Sequence, residues 1–306
     1  MTDEQYLKNL SRPKTRCDVI LDTDAYNEID DQFAIAYMLK YGEKFNIKGF
    51  CAAPFKNMRA DSPDEGMLKS YDEIKKLLKL AGAEKYLDKV FKGSETYLQN
   101  ETTAVESEAL DFISEEAEKH SPENPIYIVA IGAITNVASA IIKNPKIKEN
   151  AVVIWLGGHA QHKIKGASEF NMMQDIAAAR VIFGCGVPLV QLPCGGVVDK
   201  FATSKYELKH WLCGKNPLCD YLYENTVEEA ESYAAGKPWT RVIWDVTAVA
   251  WLTDTEGKFM QDRLIPSPIP QYDLNYSEDF SRHLIRYVYN INRDELFEDL
   301  FKRLCE

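Results

Sequence analysis

The chain has no apolar run long enough to cross a bilayer; its longest, such as Ala151 to Gly158, have the length of buried strands. Met1 to Arg16 is polar and charged and lacks the apolar stretch of a secretory signal. The seven cysteines are an odd number with no Cys-x-x-Cys pair, so neither a disulfide framework nor a zinc knuckle is expected. Together these absences favour a reducing cytoplasm. Positive charge is short as well: 36 Lys and Arg against 47 Asp and Glu leave a net charge of −11. That balance repels nucleic-acid backbones and anionic membranes, and a small neutral or cationic ligand suits it better. No Gly/Ser-rich linker, low-complexity tract or internal repeat interrupts the 306 residues, which favours one continuous domain over 1–306.

What is present is a regular alternation. Apolar, β-branched runs occur at Val19 to Leu21, Ile47 to Ala52, Ile126 to Ile131, Val152 to Leu156 and Pro188 to Leu192. Between them, segments 30–40, 64–81, 105–119, 135–143 and 175–183 carry apolar residues three or four apart, the spacing of half-buried helices. This rhythm predicts an α/β fold with an open, mostly parallel sheet and helices on both faces. Residues 203–253 read as helices joined by Pro and Gly, a helical cap region beside the sheet. Arg282 to Asn290 alternates like a late strand and Asp294 to Leu304 like an amphipathic helix.

Ligands of such sheets bind at the carboxyl ends of the strands. After the first run comes Asp22-Thr23-Asp24-Ala25-Tyr26-Asn27-Glu28-Ile29-Asp30-Asp31, with five carboxylates in ten residues. Like charges so dense repel one another unless a cation neutralises them, and hard oxygen ligands select calcium or magnesium. Glu28, Asp30 and Asp31 could instead serve only the first turn of a helix, where acids favour the macrodipole. That alternative leaves Asp22 and Asp24 unexplained, since they alternate at the strand end.

The strand, the Asp-x-Asp, the Asp-Asp pair and the following Phe-Ala-Ile-Ala resemble the signature of the inosine-uridine preferring nucleoside hydrolase family. The loop from Ala25 to Ile29 is two residues longer than in that family. Three further stretches are similar to it in the same order. Ile128 to Ala138 resembles its strand followed by Gly-x-Leu-Thr-Asn-Ile-Ala, although Thr135 and Asn136 are also ordinary helix-capping types. Trp155-Leu156-Gly157-Gly158, Ser168-Glu169-Phe170-Asn171 and Asp175 resemble its Met-Gly-Gly and Ala-Glu-Phe-Asn stretch. Arg241 to Ala250 is similar to the segment carrying its last metal-binding aspartate, with Trp244 before Asp245 as in the purine-specific branch.

The resemblance implies a calcium ion held by Asp24, Asp31, Asp245 and the carbonyl of Ile131, with Asp24 as general base for the attacking water. It implies that Asp30, Glu169 and Asn171 hold the ribose, with Leu156 also against the substrate, and that Asn27 contacts the base. Trp244 would stack on a purine and favour its departure. The implied activity is cleavage of a nucleoside to base and ribose, and relatives of this kind are commonly dimers or tetramers. None of His120, His159, His162, His210 or His283 stands where the family keeps a general acid, which favours purine nucleosides. A nucleoside-binding protein without turnover is the alternative that the longer loop favours. Asp-x-Asp after a first strand also opens the haloacid dehalogenase-type, magnesium-dependent phosphatases, but those want Thr or Val where Tyr26 stands.

Overall fold

The computed structural model describes residues 1–306. Its main sheet has eight strands: β1 (Cys17–Thr23), β2 (Phe45–Ala52), β3 (Val90–Lys92), β4 (Ile126–Ala130), β5 (Ala151–Leu156), β6 (Leu189–Leu192), β7 (Met260–Pro266) and β8 (Leu284–Ile291). They lie in the order β3-β2-β1-β4-β5-β6-β8-β7. All neighbouring pairs are parallel except β8 with β7, which is antiparallel and closes one edge. Both faces are covered, which is why β1, β4, β5 and β6 are apolar almost throughout rather than alternating with polar residues.

The period-two geometry of a strand sorts those side chains into two cores. Val19, Leu21, Val129, Ile154 and Leu156 face a core of 55 residues. Ile20, Ile128, Val153 and Trp155 face a second core of 32 residues. The larger core is completed by α2 (Asp30–Lys40), α3 (Pro63–Leu80), α7 (Lys205–Trp211), α8 (Pro217–Ala234), α9 (Val246–Thr253) and α10 (Arg293–Cys305). The smaller is completed by α4 (Glu108–Ala117), α5 (Thr135–Lys143) and α6 (Ile176–Gly184). Helices α7 and α8 lie in the 203–253 region expected as a helical cap, with α8 packed on α2 and α3, whereas α9 in the same region is not cap but core, buried against α2, β4 and β5. No helix is long and apolar enough to cross a membrane.

The chain leaves β1 outward to β2 and β3, then returns to β4 on the other side of β1. Connections that diverge from β1 and β4 leave a crevice at their carboxyl ends. The five parallel strands expected from the apolar runs are all present, as is the late strand. Unexpected are β3, β7, a short helix α1 (Asp3–Asn9) and a small hairpin pairing Ile269–Pro270 with Tyr276–Ser277. β7 escaped notice because an edge strand keeps charged residues: Asp262 is ion-paired to Arg12 at 2.6 Å and Arg286 at 3.2 Å.

Candidate functional site

At the crevice, Asp24 follows β1, Ile131 follows β4 and Leu156 ends β5, while Asp30 and Asp31 open α2 and Asp245 immediately precedes α9. These residues, with Asn27, Glu169, Asn171 and Trp244, line one cavity of about 180 Å³. All ten positions named from the sequence therefore meet in one place. Glu28, His159, Phe170 and Cys194 also line it and had no assigned role. For His159 and Cys194 the signal was position alone, each lying just beyond the end of a parallel strand.

The aspartates are buried and crowded. Asp30, Asp31 and Asp245 can each place one carboxylate oxygen so that all three lie within 4.8 Å of one another. Burial raises the pKa of Asp30 and Asp245 well above the ordinary carboxylate range, and neighbouring carboxylates raise them further. Asp31 is pushed up to about 6, mainly by burial, with hydrogen bonds from Thr23 and Asp245 opposing. Asp24 is raised by burial, Asp31 and Asp30 in that order, and neither of its buried oxygens has a hydrogen-bond partner. Gly132 permits this arrangement, because a Cβ there would stand 3.0 Å from the Asp24 carboxylate. Crowded buried carboxylates, with both Asp24 oxygens unpartnered and only Arg241 acting on Asp30 as an opposing charge, form an all-oxygen donor set that fits a hard divalent cation. Asp30 stands inside the close trio rather than apart from it, a placement that assignment to the ribose alone did not anticipate.

The acidic loop from Ala25 to Ile29 is held by contacts at both of its ends. Asn27 N–H donates to the Asp24 carbonyl at 2.7 Å, closing a turn. Glu28 is drawn toward the cap by Arg241 at 2.8 Å, and Arg241 also meets Glu229 at 3.4 Å. The Arg59 guanidinium and Lys69 ammonium each lie 5.9 Å from the Tyr26 ring. Tyr26 and Glu28 are thus engaged with residues outside the acidic trio, while Asn27 and Glu28 also line the cavity and Asp30 and Asp31 open α2.

Thr135 and Asn136 are not helix caps, a correction to their local reading: α5 is preceded by Ile134 with no side-chain cap. Thr135 donates to Asp175 at 2.7 Å. Asn136 donates to Asp22 at 2.8 Å and to the Ala52 carbonyl at 3.2 Å, while accepting from Ser94 N–H at 2.8 Å. Asp22, pushed up to about 7 by burial, accepts from Asn136 and lies behind the cavity, bracing the β1 end.

Glu169 is more constrained than a solvated loop residue. Its carboxylate accepts from the N–H groups of Gly158 at 2.8 Å, Asn171 at 2.9 Å and Met172 at 3.1 Å, capping a short helix over Phe170–Gln174. Asn171 donates its amide to the carbonyls of Ile131 at 3.1 Å and Leu156 at 3.0 Å, fixing two strand ends together. Its carbonyl oxygen stays free for another partner. Trp244 is half-buried against the larger core and lines the cavity, so it is not plain core.

The profile of the inosine-uridine preferring nucleoside hydrolases matches residues 19–283. The chain belongs to this family. That membership sets aside the phosphatase alternative. Among curated nucleoside hydrolases, a pyrimidine-specific ribonucleoside hydrolase RihB of Shigella flexneri is 35% identical over 149 residues, covering 47% of this chain and 46% of that protein. A pyrimidine-specific ribonucleoside hydrolase RihA of Citrobacter koseri is 29% identical over 166 residues, 47% and 51% of the two chains. The aligned segments thus span about half the length of these relatives. The structure of a purine-preferring ribonucleoside hydrolase from Gardnerella vaginalis superposes with a TM-score of 0.70 at 17% identity, covering 94% of this chain and 98% of that one. At that identity the likeness speaks for the nucleoside hydrolase fold alone.

Proposed function

We propose that this nucleoside hydrolase family member cleaves the N-ribosidic bond of ribonucleosides to free base and ribose, prefers purine nucleosides, and uses calcium held by Asp24, Asp31, Asp245 and the Ile131 carbonyl. The observation that carries this is the meeting of all ten sequence-named residues around two orphaned oxygens of Asp24. When bound, the cation offsets the carboxylate repulsion and polarises the oxygens it touches. Asp30 belongs to the same acidic group and serves both it and the sugar.

The chain's own residues then have separable tasks. Asp24 accepts the proton of the water that attacks C1′, its two buried oxygens having no other hydrogen-bond partner in the chain. Asn171 offers its free carbonyl oxygen to a ribose hydroxyl, and Glu169, held rigid by three N–H groups, fixes the neighbouring loop and presents what acceptor capacity remains. Fixing the sugar matters because orientation and negative surroundings favour a ring that becomes cationic as the bond breaks. Trp244 supports the purine preference, since a half-buried indole at the cavity offers a stacking face larger than a pyrimidine needs. Relatives named for purines and for pyrimidines both occur, so Trp244 rather than kinship supports the preference.

The test is ribose release from inosine, adenosine, guanosine, uridine and cytidine by wild type and Asp24→Ala, with calcium or with chelator. Release that needs calcium and Asp24 and ranks purines first is the expected result. Tight nucleoside binding without release would convert the site into a binding site, and faster release from uridine would remove the role given to Trp244.

A further inference from the structure

His159 reaches the cavity, yet the mechanism above gives it no task. Its backbone follows β5 through Gly158, whose N–H holds Glu169. Segment 158–160 is laced to the loop after β6: Cys194 N–H donates to the Gly158 carbonyl at 2.8 Å and Ala160 N–H to the Gly195 carbonyl at 3.0 Å. The ring itself is fixed, because Gly195 N–H donates to His159 Nδ1 at 3.0 Å. A backbone amide can only donate, so Nδ1 carries no proton and the imidazole must carry its proton on Nε2. Nε2 has no partner within the chain. Burial lowers the ring's pKa, Lys163 lowers it further and Asp199 opposes, so the ring stays neutral at neutral pH.

The position of the ring limits what it can meet. The acidic group sits at β1, at β4 and at the starts of α2 and α9, whereas His159 lies beyond β5 with its ring against the loop after β6. This inference rests on the function proposed above, with the ribose 2′ and 3′ hydroxyls set toward the acidic group and the base toward Trp244 and Asn27. Of the three ribose hydroxyls this leaves the one on C5′, which projects from the ring toward the other end of the cavity.

We propose that His159 is a specificity-determining residue that donates a hydrogen bond from Nε2 to the 5′-oxygen of the substrate's ribose. It is a neutral donor and transfers no proton. It discriminates against sugars lacking that oxygen, because the bound ribose covers the Nε2 N–H and then leaves it without an acceptor.

The experiment compares inosine with 5′-deoxyinosine on wild type, His159→Ala, His159→Gln and Gly195→Ala, reading kcat/KM and, by calorimetry in calcium, Kd. Wild type should prefer inosine by about tenfold, the size of one well-made hydrogen bond in a partly desolvated site. His159→Ala should abolish the preference by weakening inosine while leaving 5′-deoxyinosine nearly unchanged. His159→Gln, which restores a donor at nearly the same reach, should recover most of it. Gly195→Ala keeps the imidazole but places a Cβ 2.8 Å from Nδ1, so it should displace the ring and reduce the preference. Equal losses on both substrates in His159→Ala would overturn the inference, as would no loss on either. Disappearance of a pH-rate limb between about pH 6 and 8 on removing His159 would make it a proton donor and refute the neutral role. Calorimetry separates the two readings: if no nucleoside is cleaved, a His159-dependent difference in Kd still supports this contact while the hydrolase reading falls.

Discussion

Replacing Asp245 with Asn should move stability in opposite directions with and without cation. The carboxylate oxygens of Asp30, Asp31 and Asp245 lie within 4.8 Å of one another, and two unit charges at that outer bound repel by about 3.5 kcal/mol at an effective dielectric near 20. Wild type relieves part of this by taking up protons, as the raised pKa of each member indicates. The relief left for Asp245→Asn is therefore smaller, about 2 kcal/mol. The new amide can still donate to Asp31, so no hydrogen bond need be lost. In a chain of this length that difference raises Tm by a few degrees, since each kcal/mol is worth about 2–4 °C in large domains. With calcium at about one hundred times its Kd, wild type should gain about 2.7 kcal/mol and the variant much less. Thermal unfolding in chelator and in calcium, at fixed pH 7.5, reads both effects. The variant should melt higher than wild type in chelator and lower in calcium. A variant that melts lower in chelator would refute the idea that mutual repulsion, rather than hydrogen bonding, dominates this group.

Three other outcomes follow from the same geometry. In chelator, the protein should be more stable at pH 5.5 than at pH 8: Asp22 at about 7 and Asp31 at about 6 lie above their ordinary 3.8, so the stability they contribute is full below about pH 4 and is lost as pH rises through 6 to 7. Calcium should narrow that gap by favouring the ionised forms, and a flat profile of Tm against pH in chelator would count against it. Asn136→Ala should lower stability by about 2–4 kcal/mol in urea unfolding, because it strips partners from Asp22, the Ala52 carbonyl and Ser94; a loss under about 1 kcal/mol would show that the network is dispensable. Trp244→Phe should keep the preference for inosine over uridine, whereas Trp244→Ala should reduce it by up to about tenfold in kcat/KM; equal losses on both nucleosides would assign Trp244 to packing instead of base stacking.

The alternation of apolar runs with helical spacing was enough to announce the parallel sheet, because strands buried on both faces must be apolar along their whole length, as Val152 to Leu156 is. Strand-end position and charge density were enough to nominate Asp24 and its acidic loop after β1, whereas Ile131 after β4 and Asp245 before α9 came from the resemblance to nucleoside hydrolases. Edge elements were less legible. β7 keeps Asp262 and Arg263 because one of its sides is unpaired, so its pattern is not that of a buried strand.

What only the tertiary structure decided is the pairing of groups far apart in sequence. Thr135 and Asn136 have the composition of a helix cap, yet their side chains are spent on Asp175, Asp22 and the end of β2, contacts fixed only when strands 17–23, 45–52 and 126–130 lie side by side. The same holds for His159: none of the five histidines carries an assigned role in the sequence, and the Gly195 amide, 36 residues away, selects both the orientation and the tautomer of this one. Spacing along the chain fixes which side chains share a strand end or a helix face. Which of them meet across strands, and therefore which proton sits on which atom, is set by the packing of the whole sheet.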